Sequence, residues 1–387
     1  MCIRDRIGGI IGAMVLLAAI PILRPLVLLL GPPEFFALVM MGIVMVGALA
    51  GKAPLKGISV GILGLAISII GVHEQSGVTR YTFDVIYLFD GIGLVPLTIG
   101  LFAIPEIIAL ATRKSTIAEV ELGDVSAGRR QGIKDAFKHW WLIVRSSFVG
   151  VWVGIIPGLG SSVADWFAYG HALQTCKGAK ESFGKGDVRG VIAVDAATNA
   201  KEGGSLIPTL AFGIPGSSTL ALIFGGLLIV GVTPGREILT SQLNVTFSII
   251  WLLIIASVIT SLLCLIFVKQ MALATTLRPS VLVPFVLAMA VLGSFANSNQ
   301  FEDVIVMVVF GIVGYFLRLT GWPRPPLLLG LVLGPLAERF MWTSYQIYGF
   351  EFLVRPGVLV IGSIIALSML YPIYQRQRLA RSSAGTK

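Results

Sequence analysis

The sequence predicts an all-α, polytopic membrane protein, and its composition is the first reason. Of its 387 residues, 56% are hydrophobic and only 13% are charged, and the mean hydropathy is +0.89. Soluble domains carry about 25% charged residues and about 45–50% apolar ones. No soluble core of this size needs so much apolar surface, whereas a protein dissolved in lipid does.

Long runs without a charged residue are the second reason. A spanning helix needs about 20 apolar residues, and five such runs have 33, 25, 21, 20 and 19 residues, at 203–235, 244–268, 281–301, 356–375 and 146–164. In chain order the sequence predicts membrane segments at 7–30, 35–50, 57–72, 91–112, 140–170, 203–231, 243–268, 281–297, 303–318, 325–337 and 356–375. Several are short and contain Gly or Pro, which indicates half-spans, re-entrant hairpins or tilted helices.

The charge pattern predicts how the chain is oriented. The net charge is +9, and Lys and Arg beside membrane segments mark the cytoplasmic side. We therefore expect a polar cytoplasmic loop at 113–139 and a basic cytoplasmic tail at 376–387, and the basic segment 174–189 could lie on the same side. No basic face interleaved with aromatic residues is present, so the sequence predicts no nucleic-acid partner. Its three cysteines and three histidines lack metal-site spacing, so we expect neither a metal nor an organic cofactor.

A weak internal repeat divides the chain. Leu-Gly-Pro ends a proline-bearing apolar stretch at residues 30–32 and again at 333–335. A Pro-Gly-Leu-Gly motif lies about 177 residues before the second copy, whereas only a short segment precedes the first. We therefore expect residues 7–112 to be the remainder of a first half whose front is missing, and residues 140–375 to be the second half, as in inverted-repeat transporters. Residues 1–6 are expected to be a non-native leader.

Two Pro-Gly motifs predict discontinuous helices. The first motif, 154–162, contains Pro157, Gly158, Gly160, Ser161 and Ser162; the second, 212–219, contains Gly213, Pro215, Gly216, Ser217 and Ser218. Pro removes a backbone donor and Gly allows unusual dihedral angles, so each helix should break there. A break at membrane depth is tolerated where it lines protein or a water-filled cavity. The freed N–H groups and the hydroxyls would attract an anion, and carbonyls at the opposite half-helix end could hold Na⁺.

A polar segment lies between the two breaks. Asp195, Asn199 and Glu202 are spaced for one helical face, which could coordinate a cation or a proton. Lys201 and Glu202 could equally be solvated charges at an interfacial turn. Asp165 and His171 follow the first break and are either intramembrane charges or interfacial ones. Four more acidic residues are interpreted as interfacial, namely Glu34, Asp90, Glu106 and Glu338.

These strings together resemble a known family. GIIPGLGSSVADWFAYG (154–170), FGKGDVRGVIAVDAATNAKEGGSLIPTLAFGIPGSS (183–218), GVTPG (231–235), GPPEFF and the Phe89-Asp90-Gly91 stretch are similar to the large membrane subunit of tripartite tricarboxylate transporters. The resemblance covers residues 8 to 371. It implies a permease of about a dozen segments in the bacterial inner membrane, acting with a small four-span membrane subunit and a periplasmic solute-binding protein. It also implies uptake of organic carboxylates driven by a gradient of Na⁺ or H⁺, without ATP.

This chain departs from the family pattern at the polar segment. The family usually has a Glu and an Asn-Asn pair where this sequence has Asp195 and Thr198-Asn199. We expect Asp195, Thr198 and Asn199 to take part in ion coupling. Asn199 is also expected to bind the substrate anion, as a donor beside Ser161, Ser162, Ser217 and Ser218. Two other functions stay open. One is a membrane-embedded serine hydrolase using Ser161 and His171, although ten residues along one helix separate the two by about 15 Å. The other is a non-transporting membrane scaffold.

Overall fold

The computed structural model describes residues 2–49, 54–73, 76–112, 125–156, 160–274 and 279–367. Within them the chain is almost entirely helical, which confirms the all-α class. The helices, in chain order, are α1 (Cys2–Leu28), α2 (Pro32–Leu49), α3 (Pro54–Ser68), α4 (Leu94–Thr98), α5 (Ile104–Thr112), α6 (Val125–Lys138), α7 (Trp140–Ile155), α8 (Gly160–Thr175), α9 (Ala179–Ser182), α10 (Val188–Phe212), α11 (Ser218–Ile229), α12 (Leu243–Ile266), α13 (Val268–Ala274), α14 (Pro279–Phe295), α15 (Phe301–Leu319), α16 (Pro325–Tyr348) and α17 (Pro356–Leu367).

Short elements connect some of these helices. A π-helical turn, Ile99–Ala103, joins α4 to α5, and 3₁₀ turns lie at Ile86–Asp90 and Gly349–Val354. Strands β1 (Gly71–Val72) and β2 (Thr79–Arg80) pair antiparallel, with Gly71 opposite Arg80. This small hairpin was not expected from the sequence.

Several helices are long and apolar enough to cross a membrane. Among the described residues these are Ile7–Leu28, Leu94–Thr112 and Leu243–Ile266, and the pair α16–α17, which is bent by 63° at Arg355, could form a fourth span. Shorter apolar helices lie at Pro32–Val44, Leu55–Ser68, Trp140–Ile155, Thr219–Ile229 and Pro279–Phe295. A mixture of full-length and short apolar helices agrees with the prediction of a polytopic membrane protein with discontinuous segments.

Three helix boundaries differ from the sequence prediction. Helix α10 begins at Val188, well before the predicted segment at 203, and α16 continues to Tyr348 instead of ending near 337. The second half of the expected 113–139 loop is helix α6. Leu-Gly-Pro therefore ends helix α1 in its first copy but lies inside α16 in its second.

The chain forms two compact units, each assembled from three stretches of sequence. Unit 1 comprises residues 1–25, 106–211 and 227–290, and unit 2 comprises residues 26–105, 212–226 and 291–387. The units interleave along the chain and so do not coincide with the predicted halves 7–112 and 140–375. The repeat itself, the leader at 1–6 and the sidedness of the 113–139 segment and of the 376–387 tail remain predictions; residues 113–124 and 368–387 lie outside the described part.

Candidate functional site

An acidic cap lies at the start of α10, the helix that carries the predicted ion-coupling residues. Asp187 accepts a hydrogen bond from the backbone N–H of Arg189 at 2.9 Å, which satisfies one of the free donors at the helix start. The Arg189 guanidinium donates back to the Asp187 carboxylate at 2.6 Å and to the Lys177 carbonyl at 2.9 Å. The bonds from Arg189 hold the pKa of the Asp187 carboxyl well below its usual range. Register along α10 is thus set from this end.

Glycines let two other helices of unit 1 pack directly on the α10 backbone. A Cβ on Gly8 or Gly12 of α1 would overlap the carbonyl oxygens of Ala196 and Ala200. A Cβ on Gly150 of α7 would likewise overlap the Ala197 carbonyl. Close approach of this kind is how helices associate where lipid removes the hydrophobic driving force. We call α1, α7 and α10 the glycine-packed trio.

The trio leaves one face of α10 to polar side chains. With 100° between successive residues, α1 covers the side at 196, 200 and 203, and α7 covers the side at 197, 201 and 204. The remaining side bears Asp195, Thr198, Asn199 and Glu202, and all four are half-buried. We call these four residues the polar face. The structure thus brings the predicted residues Asp195, Thr198 and Asn199 together.

Helix α8 borders this polar face through Asp165. The Asp165 carboxylate lies within hydrogen-bonding distance of the Thr198 hydroxyl, which also lies 2.9 Å from the Val194 carbonyl oxygen. One hydroxyl proton cannot serve both acceptors fully, so this group of three oxygens has room for one more proton or a cation. Asn199 donates its amide N–H to the Asp195 carbonyl at 3.2 Å. Its amide oxygen accepts no hydrogen bond from a described residue.

Lys201 is buried, which differs from the alternative of a solvated charge at an interfacial turn. Only 2% of its side chain is exposed, and its ammonium lies 2.8 Å from Glu202 Oε1. A buried lysine needs such a partner, because desolvation of an unpaired ammonium costs several kcal/mol. The Lys201 ammonium is therefore buried inside unit 1 with its charge balanced by Glu202 of the polar face.

The second Pro-Gly motif breaks the chain as the sequence predicts. Helix α10 ends at Phe212, Gly213 has a φ of 68° that favours glycine, and α11 begins at Ser218. Ile214, Pro215 and Gly216 are buried, and within unit 2 a Cβ on Gly42 would collide with Ile214. Ser217 Oγ accepts the Leu220 N–H at 3.2 Å and so caps α11. Its hydroxyl proton stays available for a ligand, and the Ser218 side chain lies outside the described part.

The first Pro-Gly motif is only partly described. Helix α7 ends at Ile155, Ile156 is extended, and α8 begins at Gly160. Pro157 and Gly158 lie outside the described residues, as do the side chains of Ser161 and Ser162. The roles predicted for these residues and for Gly160 remain predictions, and so does the alternative of a nucleophilic Ser161.

Two glutamates interpreted as interfacial hold unit 2 together instead. Glu34 is 5% exposed, accepts the Gly31 N–H at 2.9 Å and lies 3.3 Å from Arg355 Nε. Glu338 binds Arg80 at 2.5 Å and lies 3.2 Å from His73 Nε2. These pairs tie α2 to the start of α17 and the hairpin to α16. The sequence could not reveal them, because the partners are hundreds of residues apart.

A third polar cluster in unit 2 was missed altogether. Asp303 is 1% exposed and accepts hydrogen bonds from Tyr87 at 2.6 Å, Ser298 at 2.6 Å and Asn297 at 3.2 Å. Burial and this contact with the carboxylate raise the pKa of the Tyr87 hydroxyl far above its ordinary value. Its sequence signal was an acidic residue in the first turn of an apolar helix. No group of three or more potential metal ligands occurs among the described residues.

The comparisons with known proteins give one family and two similar proteins. A family model described as "Tripartite tricarboxylate transporter TctA family" matches residues 2–329. An Agrobacterium vitis protein, "Uncharacterized 52.8 kDa protein in TAR-I ttuC' 3'region", is 31% identical over 373 residues, or 94% of this chain and 72% of that protein. A second, "Uncharacterized protein in TAR-II ttuC' 3'region" of the same organism, is 34% identical over 235 residues, or 59% of this chain and 97% of that protein. No solved structure matches the chain.

Proposed function

Since the chain belongs to the tripartite tricarboxylate transporter TctA family, we propose that it is the permease subunit that moves an organic carboxylate across the bacterial inner membrane. Uptake is secondary transport: an inward gradient of Na⁺ or H⁺ drives it. A periplasmic solute-binding protein delivers and selects the substrate, and a small four-span membrane subunit completes the complex. The substrate is a tricarboxylate or another organic anion, and membrane lipid surrounds the permease.

The observation that carries this proposal is the polar face of α10. Helices α1 and α7 cover the other two sides through glycine, so the polar face is the one side of α10 on which a ligand could replace a packed helix. Polar side chains inside a membrane segment are costly and usually line a substrate or ion path. Transporter sites of this kind combine side chains with the free backbone ends of broken helices, and α10 runs from the polar face directly into the break at Gly213.

Each of these groups of residues suits one ligand. The oxygens of Asp165, Thr198 and Asn199 suit the coupling ion, because hard cations and protons prefer such donors. The carboxylate substrate suits the start of α11, where N–H groups and the hydroxyls of Ser217 and Ser218 favour negative charge. We assign the same preference to the first break, with Pro157, Gly158, Gly160, Ser161 and Ser162.

Reconstitution tests the proposal directly. The permease, its small subunit and its binding protein are placed in proteoliposomes, and uptake of labelled citrate is measured under an inward Na⁺ gradient, an inward H⁺ gradient, or neither. Gradient-dependent accumulation is expected with one of the two ions. Failure of both gradients to drive uptake of citrate and of a panel of di- and tricarboxylates rejects the proposal.

Two substitutions locate the site. Asn199→Ala removes a half-buried amide of the polar face and should lower uptake at least about tenfold, the loss expected when a hydrogen bond to a charged group disappears. Asn244→Ala, at an exposed position in the first turn of α12, is the matched control and should transport normally. A bulky residue in place of the buried Gly216 should also abolish uptake. Equal uptake by the two asparagine variants would remove the polar face from the mechanism.

A further inference from the structure

Arg145 is the one charged residue of α7. The helix reads WWLIVRSSFVGVWVGI, so the guanidinium lies among apolar and aromatic residues in its second turn. An arginine within an apolar helix is costly and normally faces a partner or a water-filled path. Arg145 is only partly buried, and its Nε atom is sealed from solvent.

No described residue supplies the anion that Arg145 needs. Its Nε atom has no hydrogen-bond partner, and no carboxylate of the described chain lies within ion-pair distance of the side chain. The other buried or half-buried basic residues of unit 1 differ, since Lys201 pairs with Glu202 and Arg189 pairs with Asp187. Arg145 therefore stands out in this unit.

His171 is a second buried nitrogen group close to this arginine. Helix α8 packs against α7, and Ile143 and Ala172, within two residues of Arg145 and His171, lie in one buried cluster. His171 Nε2 is also sealed from solvent and without a partner. Helices α7 and α8 thus each contribute a side chain with a buried nitrogen that can donate a hydrogen bond, and neither nitrogen has an acceptor.

Snorkelling does not explain the arrangement. An arginine in the second turn of α7 could extend its side chain toward water beyond Trp140. A snorkelling arginine buries its stem and keeps its outer guanidinium nitrogens in water, but that water does not reach Nε of Arg145, which is buried without a partner. The partial exposure of the residue leaves the outer part of the guanidinium reachable from outside.

We propose that Arg145 and His171 form a binding site for an anionic oxygen group, a carboxylate or a phosphate, between α7 and α8. The planar guanidinium presents two parallel donors that match such a group, and His171 adds a third donor. The exposed Lys177 and Lys180, just beyond the end of α8, raise the local concentration of anions. The ligand is either the carboxylate of a small organic anion or the phosphate of an anionic lipid headgroup.

Binding is measured without transport, so this site and the proposed transport activity can fail separately. Purified protein in a neutral detergent is titrated with citrate and with inorganic phosphate, and the protein in nanodiscs of phosphatidylglycerol is compared with the protein in phosphatidylcholine. The thermal unfolding midpoint gives the apparent affinity. Titrations with citrate are repeated in Asn199→Ala, so that any citrate binding that depends on the polar face of α10 is distinguished from binding at Arg145.

Arg145→Gln should lower the affinity for the anion that stabilises the wild type at least about tenfold, as expected for the loss of a charge-assisted hydrogen bond. Lys177→Gln removes one exposed charge at the same end and should weaken binding far less than Arg145→Gln, because this lysine only attracts the anion and does not contact it. A response to citrate or phosphate identifies a soluble anion, and a response to phosphatidylglycerol alone identifies a lipid headgroup. If none of the three stabilises the wild type more than Arg145→Gln, or if Lys177→Gln loses as much, the site does not exist.

His171→Gln keeps the proposal testable if Arg145→Gln does not fold. This variant leaves the charge of α7 intact and alters only the third donor. We expect a several-fold loss of affinity for the same anion. A titration curve identical to that of the wild type would overturn the assignment.

Discussion

Adding one methyl group to Gly150 should separate α7 from α10. An ideal Cβ at this position would lie 2.7 Å from the carbonyl carbon and from the Cα of Ala197, and closer still to its oxygen. Carbon atoms pack best at about 3.5–4.0 Å, so the two helices must move apart by roughly 1 Å. All three contacted atoms are backbone, and no flexible side chain can yield.

Two opposing effects set the size of this change. Overpacking a tight interface costs about 1–3 kcal/mol, whereas replacing Gly by Ala inside a helix gains up to about 1 kcal/mol. We expect a net loss of about 1–2 kcal/mol for Gly150→Ala. The matched control is Gly170→Ala in α8 of the same unit, where an added Cβ meets nothing within 4 Å. That variant should be neutral or stabilised by up to about 1 kcal/mol.

Reversible unfolding of the purified protein in mixed micelles measures the difference between the two variants. Uptake by proteoliposomes should fall in Gly150→Ala, because α7 and the polar face of α10 no longer keep their spacing, and should be unchanged in Gly170→Ala. If the two alanine variants unfold with the same free energy, α7 and α10 do not meet backbone to backbone at Gly150.

Three further predictions concern the polar contacts. Asp187→Asn should destabilise the protein at neutral pH and less so below about pH 4, because a carboxyl with a lowered pKa contributes stability that is lost as pH falls; pH-dependent unfolding measures it. Tyr87→Phe removes one of the side-chain donors to the buried Asp303 and should cost about 1–2 kcal/mol in the same assay. Glu338→Gln weakens a partly exposed ion pair and should cost up to about 1 kcal/mol, with a smaller effect at high salt.

Each of these predictions has a control. Arg189→Gln should reproduce the pH dependence of Asp187→Asn, and a destabilisation of Asp187→Asn that is constant down to pH 2 would contradict the charge contact with Arg189. Tyr315→Phe, whose hydroxyl has no recorded partner, should be nearly neutral; equal losses in the two tyrosine variants would argue against the Asp303 contact. For Glu338, an effect that does not depend on salt would show that the pair is more deeply buried than the structure indicates.

Hydropathy predicts the membrane class but misplaces helices that carry charges. Helix α10 begins at Val188 because Asp187 caps it and small residues continue it, yet its charged residues kept it out of every apolar window. Helix α16 continues past 337 for a related reason, since Glu338 is paired with Arg80. Helical propensity and capping extend the helices at these positions. Neither raises the apolar content of the sequence, so a prediction based on hydropathy does not detect them.

The site was predictable where local chemistry sets it and not where tertiary contacts do. The break at Gly213 follows from Gly and Pro alone, and the spacing of Asp195 and Asn199 follows from helical periodicity. The contact of Asp165 with Thr198 joins residues 33 positions apart on two helices, and no local pattern indicates it. The burial of Lys201 likewise depends on how closely α7 approaches α10. In the sequence this approach is visible only as glycines in α7, and glycine is common throughout the chain.

The glycine contacts have a mechanical consequence for the transport cycle. Side chains between two helices act as compressible spacers that can change rotamer as the helices slide, and the contacts of Gly8, Gly12 and Gly150 with α10 contain no such spacer. Where two helix backbones are in direct contact, a displacement of one helix is passed to the other, because no side chain between them can change its conformation. We therefore expect helices α1, α7 and α10 to move together as one rigid group. Any movement that exposes or covers the polar face should then occur between α10 and α8, which meet through the Thr198–Asp165 hydrogen bond.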